Sequence, residues 1–373
     1  QASNAFHNET YFPSQKEPGL DYGFNFSIGD FVPLKNEQAL GWVFSLTYDA
    51  GTRHFGGGVS GRYGQGSTDI ESPQFVDLDQ LFTPDLDQLS YRNAYEANPD
   101  VPGGEPAFGV TSTTQFVNWG AYAQLAYRFT ANHEATLRYY SNQSADDRVK
   151  HGVGESTRSD AGRLFEIYDL LYTQRSISSL QLSGKSVFPE WGELQVEWRL
   201  AHGSSVQEQP DYRTISYFWD FNSQEYASAA GTGNNRFFRD LDEKSDEGAV
   251  DFSLPVEIAG KSGRLKFGGV YTQGDRTYEE KRYRWSQQAR PYEIIANYPN
   301  PVGVLDITDN QVTFGNTISN ITGTLTDYLA DQTLWGLYAM VDLELGERWR
   351  TIFGLRAEHT SMSTRAPEGS AGF

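Results

Sequence analysis

Histidine is the side chain that most readily moves a proton or holds a metal near neutral pH. It occurs six times here, at His7, His54, His133, His151, His202 and His359. No two of them share the short spacing of a metal-binding helix or finger, and there is no H-E-x-x-H. The chain has no cysteine, so it offers neither a thiolate nucleophile nor a disulfide framework. It also lacks a G-x-S-x-G elbow and a P-loop. The glycine-rich run GGGVSGRYGQG is not followed by the helix whose N-terminus would hold a phosphate. A duplicated DLDQL presents Asp77, Asp79, Asp85 and Asp87, oxygen ligands of the kind Ca2+ takes. It lacks the D-x-D-x-D-G turn, and an acidic loop in water needs no ion. Glu197 and Arg199, like Arg356 and Glu358, stand two residues apart and so share a face of an extended strand. Such neighbours are expected to form ion pairs or hydrogen bonds rather than an acid/base couple. No catalytic residue, metal ligand or cofactor is assigned, and the chain is not expected to be an enzyme.

Two aromatic-rich segments are the candidates for holding a small molecule. TISYFWDFNSQEY supplies Tyr217, Phe218, Trp219, Phe221 and Tyr226, and RYRWSQQARPY supplies Tyr283, Trp285 and Tyr292. Rings with polar tips hold ligands by stacking and hydrogen bonding. Tyr217, Trp219, Phe221, Tyr283 and Trp285 form the expected ligand-binding set, with packing inside an extended hairpin as the alternative for the same rings. A net charge of −19 repels phosphate backbones, and no basic stripe interrupts it, so nucleic acid is excluded as a partner.

These residues need a scaffold, and periodicity shows its kind. Tyr22, Phe24, Phe26 and Ile28 alternate with Gly23, Asn25 and Ser27; Leu40, Trp42, Phe44, Leu46 and Tyr48 alternate with Gly41, Ser45 and Thr47. Successive side chains of a strand point to opposite faces, so each run has one apolar and one polar face. Similar runs centre on Trp119–Tyr127, Ala135–Tyr139, Leu170–Leu182, Leu194–Leu200, Val250–Leu254, Leu265–Tyr271, Leu337–Leu343 and Phe353–Ala357. The fifth is interrupted by Gln174, Ser176 and Ser178, which predicts a bulge or a segment protruding past the apolar zone. Only 38% of residues are hydrophobic, and no run approaches the roughly 20 apolar residues of a membrane-spanning helix. A transmembrane barrel needs an apolar residue only at every second strand position.

About ten strands pair as about five hairpins. Short connectors near 31–38, 130–133, 185–192, 256–263 and 346–348 alternate with long ones over roughly 50–115, 145–163, 203–247 and 286–332. Short turns on one side and long loops on the other are the habit of bacterial outer-membrane barrels. Trp42, Tyr48, Trp119, Tyr127, Trp198, Tyr271 and Trp335 suit the interfacial girdles, although β-propensity alone also favours rings in strands. The expected fold class is therefore all-β: a partial antiparallel transmembrane β-barrel in the bacterial outer membrane. Residues 1–373 form one barrel portion. Residues 1–19 are extracellular loop, 20–362 carry strands with short periplasmic turns and long extracellular loops, and 363–373 begin another extracellular loop. This polarity puts both chain ends at the cell surface, as in an internal slice of a larger barrel.

Three hairpins resemble the barrel of TonB-dependent outer-membrane receptors. They are LLYTQRSISSLQLSGKSVFPEWGELQVEWRLAHGSSVQEQPD, FFRDLDEKSDEGAVDFSLPV with RLKFGGVYTQGDRTYEEKRYRW, and LWGLYAMVDLELGERWRTIFGLRAEHT. The last carries Tyr338, Ala339, Asp342, Gly354, Arg356 and Glu358 of the motif, and the resemblance spans most of residues 160–362. It implies a 22-stranded type of barrel and energised uptake of a scarce nutrient: siderophore, cobalamin, haem or carbohydrate. The implied partners are outer-membrane lipid, the small nutrient ligand, and TonB acting through a plug domain with no counterpart in this chain. A passive porin-like channel and a soluble β-rich surface binding module are the competing expectations.

Overall fold

In a computed structural model, the described residues are 13, 17–60, 108–155, 163–220, 225–228, 235–287, 316–322, 326–346 and 348–366. They form one antiparallel sheet. Its long strands are β1 (Tyr22–Pro33), β2 (Ala39–Ser60), β3 (Phe108–Thr130), β4 (His133–Glu155), β5 (Arg163–Phe188), β6 (Leu194–Asp220), β8 (Asn235–Ile258), β9 (Lys261–Gln287), β11 (Tyr328–Gly346) and β12 (Trp349–Arg365). Two short strands lie off this path, with β7 (Glu225–Ser228) against β6 and β10 (Asn316–Asn320) against β9. Each long strand pairs with its neighbours in the chain, and the sheet is open, with β1 and β12 at its edges. Among the described residues no helix is long and apolar enough to cross a membrane.

The five short connectors are where alternation ends in turn residues. Ala259 and Gly260, with φ of 53° and 70°, join β8 to β9 through the two-residue, doubly positive-φ turn that suits a twisted hairpin. Pro189–Trp191 makes one 3-10 turn between β5 and β6, closed by left-handed Gly192.

The long connectors differ from expectation. Parts of 50–115, 145–163, 203–247 and 286–332 are strand: β2 continues to Ser60, β4 to Glu155, β6 to Asp220, and β9 to Gln287. The acidic run FRDLDEKSDE, which falls in the expected connector 203–247, lies within β8 and is paired on both sides. Ladder hydrogen bonds continue there, but both faces are polar, so the period-two signal that reveals a half-apolar strand is missing. β12 likewise runs to Arg365, past the expected limit at 362.

The fifth run is an uninterrupted strand, and the irregularity falls on its partner. Between Glu208 and Arg213, β6 advances one residue more than β5 does between Gln174 and Leu170, and the ladder to β8 shifts at the same place. The extra residue lies at Pro210–Asp211; proline, with no N–H to donate, is tolerated at such a bulge. Asp211 there accepts from Arg236 Nε at 2.8 Å and Nη2 at 2.7 Å, and from Arg213 Nε at 2.7 Å. Both arginines are buried.

Register places the apolar residues together. Partners across a ladder share a face, and one perpendicular row reads Trp335, Tyr271, Gly248, Leu200, Leu182, Leu137, Leu125 and Trp42. Adjacent rows continue the band: Leu337 lies opposite Gly269 and Ala357, and Phe252 lies opposite Val196 and Phe267. The row descends relative to the band. It starts at the band's upper ring, Trp335, and ends at Trp42, six residues below Tyr48, the upper ring on β2. Six residues at about 3.3 Å, against seven strand spacings of about 4.8 Å, give a lean of roughly 30°.

The apolar face lies open, while the polar face is mixed in exposure. Leu337 is 59% exposed and Leu200 55%, while Arg138, Gln181, Ser183, Glu247, Asp251 and Tyr338 on the other face are half-buried.

Burial pushes the Asp211 carboxyl up, but the bonds from Arg236 and Arg213 outweigh it and hold its pKa below the ordinary carboxylate value. A depressed pKa stabilises the fold above the unfolded value, about 3.9, and that contribution is lost as pH falls through the folded value. Asp211→Asn is therefore expected to cost about 2 kcal/mol near neutral pH. The gap from the native protein should close as urea unfolding is repeated at progressively lower pH, below the carboxylate range.

Candidate functional site

The polar face at the height of the apolar band holds two adjoining depressions, of about 280 and 420 Å3, which share Arg199 and Asp251. Their floor is a lattice of sideways pairs. Lys185 Nζ on β5 lies 3.4 Å from Glu197 on β6, and Arg199 Nε donates to Glu247 on β8 at 2.8 Å. Glu197 also accepts from Gln195 Nε2 at 2.6 Å. Glu197 and Arg199, neighbours on one strand, are thus paired outward to two different strands. Arg356 and Glu358 pair along β12, Nε to Oε1 at 2.6 Å.

Tyr338 makes the longest reach. Its hydroxyl donates to Asp251 Oδ1 at 2.6 Å, from β11 to β8 across the whole width of β9. The residue between them in the row is Gly268. A Cβ there would stand 2.5 Å from Asp251 Oδ1 and 2.9 Å from Tyr338 Cε1. The glycine leaves the trough in which the tyrosine ring lies flat on the sheet. Arg138 is held differently: Nε donates to Gln124 at 3.0 Å, and Nη1 to Gln181 at 3.2 Å and Ser183 at 3.0 Å. Neutral acceptors thus fix its plane and leave its charge in the depression.

This surface can hydrate or dock a polar partner. Its carboxylates bond to cations, a tyrosine or an amide, and among the described residues no group of histidines and acids is placed to hold a metal.

The described histidines stand apart. His54 bonds Thr113, His133 meets Phe188 edge-on, and His202 bonds Asp246. His151 bonds Glu166 while stacked on Tyr168, and His359 lies beside Trp335. His7 and all four aspartates of the DLDQL pair lie outside the described residues.

The expected ligand-binding residues gather at the long-connector end. Tyr217 and Trp219 lie in the last turns of register on β6, and Tyr283 and Trp285 near the end of β9. Phe221 and Tyr292 lie outside the described residues. Tyr283 meets Phe238 edge-on at 5.9 Å, and the ladder from Arg213 through Arg236 puts Tyr283 on the same side of the sheet as the apolar band. The polar side at that end carries residues that periodicity did not single out: Tyr212, Phe237, Arg239, Glu280 and Arg282. Their signal was the density of arginine and aromatic residues in NNRFFRD and KRYRW, which became meaningful only once both stretches were paired strands.

Gly268→Ala is expected to destabilise the sheet by about 1–3 kcal/mol in urea titrations of the refolded chain. Gly274→Ala, where the nearest atom to a new Cβ is 3.6 Å away, should stay within about 0.5 kcal/mol. Comparison with known protein families, curated proteins and solved structures found no match.

Proposed function

We propose that this chain forms part of the wall of a bacterial outer-membrane β-barrel of the TonB-dependent receptor type, serving uptake of a scarce small nutrient. The observation that carries the reading is the continuous, exposed apolar band backed by a polar, charge-paired face. Water penalises the exposed band, whereas hydrocarbon against the band and an aqueous or protein-filled lumen against the polar face favour the arrangement.

Two dimensions agree with a bilayer. On β11 the band runs from Trp335 to Leu343. At about 3.3 Å per residue and a lean of roughly 30°, that is a height of about 23 Å, near the ~25 Å band of such barrels. The lean itself approaches the roughly 35–45° that closure of an outer-membrane barrel requires. Among the described residues the edges of β1 and β12 are unpaired, and a cylinder would need further strands along them. The receptor assignment, as opposed to a bare channel, is supported by the hairpin motifs over residues 160–362. On this reading TonB acts through a plug filling the lumen, and no bond in the nutrient is made or broken.

The protein is expected to partition into outer-membrane fractions and to show heat-modifiable gel mobility. Recovery in the soluble fraction without detergent would overturn the proposal. A substitution pair sharpens the test. Ala339→Arg, at the middle of the band on β11, should cost about 2–4 kcal/mol in lipid vesicles, while Thr333→Arg, above the band on the same strand, should cost at most about 1 kcal/mol. Ala339 is exposed, so in a soluble sheet its arginine variant would cost nothing measurable.

A further inference from the structure

At the long-connector end of the polar face, one ring carries two guanidinium groups. Arg239 Cζ lies 4.5 Å and Arg282 Cζ 4.8 Å from the centroid of Phe237. Phe237 is buried and stacked on Tyr212 at 5.1 Å and 22°. Register explains the meeting: Phe237 on β8 lies opposite Arg282 on β9, and Arg239 lies opposite Glu280. Two cations on one aromatic ring repel each other unless anions intervene, yet the carboxylate supply is uneven. Glu280 takes Arg239 Nε at 2.7 Å and the Tyr278 hydroxyl at 3.1 Å. Arg239 Nη1 also reaches Gln209 at 3.4 Å.

Arg282 has no such partner. Its Nε is buried and makes no hydrogen bond, and no carboxylate among the described residues pairs with it. Two residues further along the same face, Arg284 Nε donates, among the described residues, to the neutral Asn235 Oδ1 at 3.3 Å. Asp327, the nearby acid, is engaged with the Glu280 amide at 2.7 Å. Three arginines thus line one face of a hairpin end beside three engaged carboxylates: Glu280 pairs with Arg239, Asp327 takes the Glu280 amide, and Asp169 takes the Tyr212 hydroxyl at 3.4 Å. Lys150 and Arg148 also act on Asp169, so cations outnumber carboxylates here on a chain of net charge −19. A desolvated guanidinium N–H left without an acceptor is costly, and the fixed planar fork of arginine matches a pair of oxyanion oxygens. Stacking on Phe237 holds that plane in place before anything binds.

We propose that Arg282, with Arg284 and Arg239, forms a seat for an oxyanion: the carboxylate or phosphate group of a solute reaching the sheet from the long-connector side. The local field attracts an anion against the overall charge, and the ring limits how it docks. Where this seat stands relative to a membrane rests on the outer-membrane reading; its binding of an oxyanion does not.

The test uses the full chain refolded in detergent micelles, titrated calorimetrically at constant ionic strength with citrate, with inorganic phosphate and with glucose. At least one of the two oxyanions is expected to bind, and glucose is not; which one binds separates a carboxylate seat from a phosphate seat. Arg282→Gln is expected to weaken binding at least tenfold, Arg282→Lys to lie between, and Arg276→Gln, whose guanidinium pairs with Glu243 lower on the strand, to change nothing. If Arg282→Gln does not refold by the gel-mobility criterion, Arg284→Gln decides in its place, with the same direction of effect. Failure of both oxyanions to bind, or equal affinity in the variant that decides, overturns the seat. Neither result bears on partition into outer membranes, and loss of that partition leaves the seat standing.

Discussion

A ladder hydrogen bond fixes more than two backbones: it decides which side chains share a face. Because side chains alternate with period two, slipping one strand by one residue would exchange its entire apolar set for its polar set. In this sheet each long strand is in the register that carries the band across, from Trp335 and Tyr271 through the leucines of β4, β5 and β6 to Trp42. The polar lattice on the reverse side depends on the same choice. Tyr338 reaches Asp251 only because β8, β9 and β11 are aligned with Gly268 between them. Arg199 meets Glu247, and Lys185 meets Glu197, for the same reason.

The band and the lattice constrain one another. The band makes a slip expensive in a solvent that rewards apolar contact, and the lattice makes it expensive through broken charge pairs. Exposed pairs of this kind contribute little individually, typically below about 1 kcal/mol. Their effect is on specificity, since a slipped register juxtaposes unmatched polar groups. Where the band ends, another device takes over. The β6 bulge at Pro210–Asp211 shifts both of its ladders, and Asp211 ties β6 to β8 through Arg236. Beyond that point the polar face carries the Phe237 platform and its arginines rather than the amide and carboxylate lattice below.

What the sequence disclosed follows from this division. Leu40–Tyr48, Trp119–Tyr127 and Leu194–Leu200 were legible because one face is apolar and the other is not, and the five tight turns were legible because alternation breaks there. The upper halves of the strands were hidden. Arg239–Glu247 has charges on both faces, so it carries no periodic signal and reads as an acidic loop although it is paired on both sides. The candidate sites were hidden for a different reason. The Tyr338–Asp251 contact joins residues 87 positions apart, and the Phe237–Arg282 contact depends on the alignment of β8 with β9. Pair geometry of this kind follows from register, which composition and periodicity do not specify.

The absence of cysteine from the chain allows a direct measurement of the central claim, that the band faces hydrocarbon. Single cysteines placed at each position from Trp335 to Leu343 in the vesicle-reconstituted protein can carry a fluorophore quenched by nitroxide-bearing lipid tails or by a water-soluble quencher. The account predicts a period of two: lipid quenching at positions 335, 337, 339, 341 and 343, and aqueous quenching at the positions between. Equal access of water to both sets, or shielding of the odd set from lipid and water alike as in a face packed against a second sheet, would contradict it.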